Sequence, residues 1–89
     1  MVIKKDFILR KIAGEDVVIP IGDNIADFNG IITLNETAAF LWKELQSGQD
    51  EKGLLERLCQ EYDATEEEAL QDIQEFLSIL REHHILEGK

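Results

Sequence analysis

Cysteine, proline, methionine, tryptophan and tyrosine occur once each in this 89-residue chain, and nine Lys and Arg stand against nineteen Asp and Glu. Each shortage excludes something. A lone Cys59 cannot build a disulfide framework. So few aromatics cannot make a platform on which successive nucleobases stack. A net charge of −10 opposes the phosphate neutralisation on which nucleic-acid binding depends, and it disfavours an anionic membrane surface. No apolar run approaches the roughly 20 residues of a membrane-spanning helix, and the start of the chain has no signal-peptide core. The expected location is cytoplasmic. No glycine-rich phosphate loop, metal-spaced Cys/His set or nucleophile elbow is present. The expectation is therefore no catalysis, no metal and no cofactor.

What is there suffices for a fold. A hydrophobic share of 44% argues against disorder, and the length allows one small domain over residues 1–89. The first third reads as strands. DFILRKI, about 6–12, is rich in β-branched and aromatic residues, and Ala13-Gly14-Glu15-Asp16 supplies a turn. VVIPI, about 17–21, follows, with Pro20 suited to a strand end because it has no N–H to donate. Gly22-Asp23-Asn24 is a second turn, and FNGIITL, about 28–34, a third strand in which Gly30 suggests a bulge.

The remainder reads as three helices, about 35–47, 50–62 and 65–83. Asn35 is a good N-cap for the first, whose stripe of Leu34, Ala38, Leu41, Trp42 and Leu45 has helical spacing. Ser47-Gly48 ends it. Asp50 caps the second, which carries Leu54, Leu55, Leu58, Cys59 and Tyr62 on one face and a costly Gly53 in its first turn. Thr65-Glu66-Glu67-Glu68 is a capping box for the third, with Ala69, Leu70, Ile73, Phe76, Leu77 and Leu80 at 3.6-residue spacing. Ile85-Leu86 reads as a short hydrophobic tail that packs back. The fold class is α+β: a three-stranded antiparallel sheet followed by three helices, winged-helix-like.

Most conspicuous residues have an ordinary reading. Cys59 and Trp42 lie on apolar stripes and belong in the core. His83 and His84 are adjacent, so they point roughly 100° apart and do not form the chelating pair that i, i+4 spacing gives. Glu66-Glu67-Glu68 is either a wet helix start or a contact for a basic partner. Two features stay open. Phe40 shares an otherwise polar helix face with Glu36, Lys43, Glu44 and Ser47, so it is either covered by another element or touches a partner. The third strand, as the last of a meander, has a free edge with neither Lys nor Pro to blunt it between Asp27 and Leu34. Either a helix covers that edge or it accepts another strand.

IADFNGIITLNETAAFLWKEL and EYDATEEEALQDIQEFLSILREHHILE, with the strand pair FILRKIAGEDVVIPIG, resemble the PqqD family of pyrroloquinoline quinone biosynthesis and its relatives, the recognition elements of ribosomally made, modified-peptide pathways. The most specific parts are Leu34-Asn35-Glu36-Thr37 leading into Leu41-Trp42, and Asp72-Ile73 leading into Phe76-Leu77 and Leu80. The chain departs from the pattern at Asp50, where Thr is common, at Gly53, where an acid is usual, and at His83 or His84, where relatives have Gly. The resemblance implies a non-catalytic peptide chaperone. Such a protein binds the leader of a precursor peptide as an added strand and presents it to a modifying enzyme, often a radical S-adenosylmethionine enzyme. Carried over, the peptide-binding residues are Asp27, Phe28, Asn29, Gly30, Ile31, Ile32 and Thr33 on the strand, and Asp72, Glu75, Phe76 and Ile79 on the facing helix; Phe40 is a candidate partner contact on the ground of its own helix face and not of the resemblance. Asp72 and Glu75 share a helix face, which suits a leader carrying Lys or Arg. The rival readings are a winged-helix DNA-binding regulator, opposed by the acids on the third helix, and a structural subunit of the modifying enzyme.

Overall fold

A computed structural model describes residues 2–4, 7–21 and 32–87. The elements run β1 (Val2–Ile3), β2 (Phe7–Ile12), β3 (Glu15–Pro20), β4 (Ile32–Leu34), α1 (Glu36–Gln46), α2 (Glu51–Tyr62), α3 (Glu66–Glu82) and β5 (Leu86–Glu87). β2, β3 and β4 form an antiparallel sheet in that order, and the three helices follow it in sequence. The fold is the expected α+β one. Among the described residues no helix is long and apolar enough to cross a membrane.

The β2–β3 turn is tighter than the sequence suggests. Ala13 and Gly14 both have positive φ, 52° and 82°, the pairing that a two-residue type I′ hairpin requires. Glu15 and Asp16 are thereby drawn out of the expected turn and into β3, opposite Ile12 and Lys11. The strand expected at 17–21 thus spans Glu15–Pro20 and ends on the proline. The strand expected at 28–34 is described over Ile32–Leu34. The Gly22-Asp23-Asn24 turn and the Gly30 bulge lie outside the described residues.

Local chemistry sets each helix start. The side chains of Asn35, Asp50 and Thr65 accept from the amides of Ala38, Gly53 and Glu68 at 2.8, 2.8 and 3.1 Å. Each satisfies a donor that the first turn would otherwise leave unpaired. Glu68 reaches back to the Thr65 amide at 3.2 Å and completes the capping box. α3 ends in a Schellman motif: the amides of His84 and Ile85 donate to the carbonyls of Arg81 and Leu80, and His84 takes the left-handed conformation, φ 58°.

The core lies between the inner sheet face and the helices. Trp42, Leu41, Leu54, Leu58, Ile73, Leu77, Leu80 and Ile85 are fully buried there, with Val18 and Leu34 from the sheet. Three stripe residues depart from expectation. Leu70 is exposed: it stands at the outer margin of the stripe, about 20° beyond Leu77, and near the start of α3. Tyr62 ends α2 and remains 37% exposed, its ring against Phe40. Cys59 is only half-buried, packed against the edge of the core. A second sheet has no counterpart in the sequence reading. β1 pairs with β5 (Val2 with Glu87, Ile3 with Leu86), and the Lys4 amide donates to the Ile85 carbonyl at 2.9 Å.

Candidate functional site

β4 is an outer strand. It pairs with β3 on one side, and among the described residues no strand pairs with the other. The hairpin fixes which backbone groups face outward. With a two-residue turn, Ile12 and Glu15 form the closing hydrogen-bonded pair. Alternation along the antiparallel ladder then turns the backbone groups of Asp16 and Val18 toward β4, opposite Leu34 and Ile32. Thr33, opposite Val17, is the non-hydrogen-bonded position. Its N–H and C=O therefore point away from β3, into the open edge. The other outer strand, β2, shows exposed Arg10 and Lys11, the cationic blunting that discourages strand addition. Ile32, Thr33 and Leu34 carry no charge.

Where β4 ends, a small hollow begins. Asn35, Thr37 and Ala38 at the start of α1 line one side of it, and Asp72, Glu75, Phe76 and Ile79 of α3 line the other, enclosing about 90 Å³. Phe76 is buried at 2% exposure and Ile79 is 36% exposed, so the α3 wall is apolar with a carboxylate rim. Asp72 and Glu75 are both exposed, and neither has an ion pair or side-chain hydrogen bond among the described residues. The lining contains no base. Glu75 and Ile79 also border a shallower depression with Gln71, Gln74 and Ser78 on the next face of α3.

Of the residues singled out from sequence, Asp72, Glu75, Phe76 and Ile79 surround this hollow, and Ile32 and Thr33 lie on the adjoining edge strand. Asp27, Phe28, Asn29, Gly30 and Ile31 lie outside the described residues. Asn35, Thr37 and Ala38 were missed as lining residues; the signal was their place directly after the edge strand. The arrangement suits an extended chain: main-chain donors and acceptors on the edge, a pocket for a side chain, and negative charge at its mouth.

Phe40 stands on another face of α1 and is half-buried. Tyr62 meets it edge-on at 5.5 Å between centroids, and the Arg57 guanidinium lies 5.7 Å from the centre of its ring. Arg57 is itself anchored by Glu44 at 3.2 Å and by Gln60 at 3.0 Å. α2 thus covers part of Phe40, and the rest borders a wider cleft beside the hairpin tip. The Tyr62 hydroxyl is pushed above the usual phenol range by partial desolvation, and further by the carboxylates of Glu36 and Glu61. Among the described residues no group of three or more His, Cys, Asp and Glu is placed to hold a metal ion.

Comparison with known proteins gives a family and a fold. The family described as coenzyme PQQ synthesis protein D (PqqD) matches residues 7–86. A search of the curated proteins finds no significant match. Two solved structures are similar in fold. One is described as TbiB1 in complex with the TbiA(beta) leader peptide, at 21% identity and a TM-score of 0.80, covering 100% of this chain and 98% of that one. The other is a lasso peptide synthetase B1 complexed with the leader peptide, at 21% identity and a TM-score of 0.71, covering 90% and 88%.

Proposed function

The chain belongs to the PqqD family, and from that premise we propose that it is a non-catalytic recognition protein. It binds the leader segment of a ribosomally made precursor peptide by strand addition to β4 and presents the rest to a modifying enzyme. The observation that carries this reading is the uncharged, unpaired edge of β4 running into the hollow that Asp72, Glu75, Phe76 and Ile79 border. That both similar structures hold leader peptides supports it. The enzyme served is of the radical S-adenosylmethionine class by family resemblance alone.

The physical division of labour is simple. Hydrogen bonds to Thr33 set the register of the added strand, the hollow admits a side chain, and the two carboxylates favour a leader with Lys or Arg nearby. Acids on α3 also oppose a recognition helix entering a DNA groove. Micromolar affinity needs about −8 kcal/mol, within reach of a few strand hydrogen bonds and buried side chains.

The test is an amide-resolved NMR titration with a synthetic leader, taken from a short reading frame encoded beside this gene. Shifts at Ile32–Leu34 and across 72–79, saturating in the micromolar range, are expected. Thr33→Pro removes an outward donor while sparing the β3 ladder, so it should abolish binding and keep the fold. Unchanged binding by that variant would sink strand addition at β4.

A further inference from the structure

A concavity of about 750 Å³ borders α1 and extends beyond the backbone groups that strand addition engages. Lys11 and Glu15 of the β2–β3 hairpin, Thr33 of β4 and Asn35 after it, Phe40 of α1 and Tyr62 of α2 are among the residues that line it. Three observations point to one occupant.

The first is shape. A cleft of this volume accepts several side chains of an inserted segment, whereas the contact between two folded proteins is broad and shallow. The second is the wall. Phe40 is held by a T-shaped contact with Tyr62 and by an Arg57 that Glu44 and Gln60 fix in place. Its ring is therefore set in advance, and an incoming aromatic or large aliphatic group loses little by packing on it. The third is continuity. Thr33 and Leu34 line this cleft, and Asn35 borders both it and the hollow beside α3, so a chain paired with β4 passes into the cleft at the start of α1. Phe40 lies five positions along α1 from Asn35, about 7.5 Å of helix, which an extended chain covers in roughly two to three residues.

Charge distinguishes the two places. The charged residues around the hollow are both acids, but the cleft mixes Lys11 and Lys43 with Glu15, Asp16 and Glu36, and Lys11 approaches Asp16 at 3.9 Å. Nothing there selects a strongly basic segment. We infer that the cleft is a second subsite for the same peptide, taking an aromatic side chain about three residues beyond the strand-paired segment. This rests on strand addition to β4.

The probe is a library of random 16-residue peptides displayed on phage, selected in parallel on the wild-type protein and on the Thr33→Pro and Phe40→Ser variants. The expected result is that wild-type binders share an aromatic residue at a fixed spacing from their β-paired stretch, and that Phe40→Ser binders lose only the aromatic. For the best synthetic peptide, replacing its aromatic by Ala should weaken wild-type binding about tenfold and leave binding to Phe40→Ser unchanged. Should Phe40→Ser fail to fold, Tyr62→Ala, at a more exposed position, carries the same comparison. Binders that require the Thr33 amide but have no aromatic, or whose aromatic is indifferent to Phe40 and Tyr62, overturn the second subsite and leave strand addition standing. Binders that hold Thr33→Pro as tightly as wild type, or no enriched binders at all, overturn strand addition and the subsite with it.

Discussion

The amide of Ile85 donates to the carbonyl of Leu80 across the end of α3 at 2.8 Å, and both side chains are fully buried. That bond closes the Schellman motif and forces His84, between them, into the left-handed region at φ 58°. A residue with a Cβ is strained there, whereas glycine is not. His84→Gly should therefore raise stability by about 0.5–1 kcal/mol, read as a higher denaturation midpoint at unchanged slope.

Gly53 has the opposite problem: it lies in the first turn of α2 with no need for a special conformation. An added Cβ would meet the side-chain tip of Gln49, which is free to swing aside, and the Oδ1 of the capping Asp50 at 3.3 Å. Gly53→Ala should stabilise the protein by up to about 1 kcal/mol through helix propensity. Loss of stability instead would mean that the Asp50 cap had been displaced, and adding Asp50→Ala to Gly53→Ala would then show no further effect.

Tyr62 is the one tyrosine, so absorbance at alkaline pH reads it without overlap. Desolvation and then the carboxylates of Glu36 and Glu61 raise its titration point, and the midpoint should lie above the ordinary value of about 10. Because the folded value is the higher one, this group's contribution to stability is complete below the unfolded value. It is lost as pH rises through the folded value. Glu36→Gln should move the midpoint back down.

Asp72 and Glu75 make no ion pair among the described residues, so the fold does not depend on their charge. The double variant Asp72→Asn, Glu75→Gln should change unfolding free energy by less than about 0.5 kcal/mol. Its affinity for a Lys- or Arg-bearing leader should fall about tenfold, and the salt dependence of binding should flatten. Equal affinity at low salt would remove these carboxylates from the recognition surface.

The parts legible in the sequence were those written locally. Asn35, Asp50 and Thr65 each carry a cap in their own chemistry, and the buried positions of α1 and α3 repeat at helical spacing, so the starts and faces of the helices could be read. Long-range pairing left fainter marks. Nothing in Val2–Ile3 or Leu86–Glu87 announces a partner more than eighty residues away, and strands of two residues have no periodicity. Glu15 and Asp16 looked like turn residues because acids favour turns, yet the positive φ of Ala13 let the hairpin close two residues sooner. At the candidate site, the carboxylates and Phe76 were visible as a helix face. The roles of Thr37 and Ala38 as its opposite wall depend on how α1 packs against α3, which no spacing within either helix reveals.

The clasp of β1 on β5 sets Val2 across from Glu87, so the polypeptide enters and leaves the fold side by side. A load applied at those two points opens the clasp one pair at a time, like a zipper, before it reaches the β2–β3–β4 sheet. The two residues also form a ready stem. Spliced through it into a surface loop of a larger protein, the whole unit would hang from one attachment, with the edge of β4 in a sheet that the stem does not join.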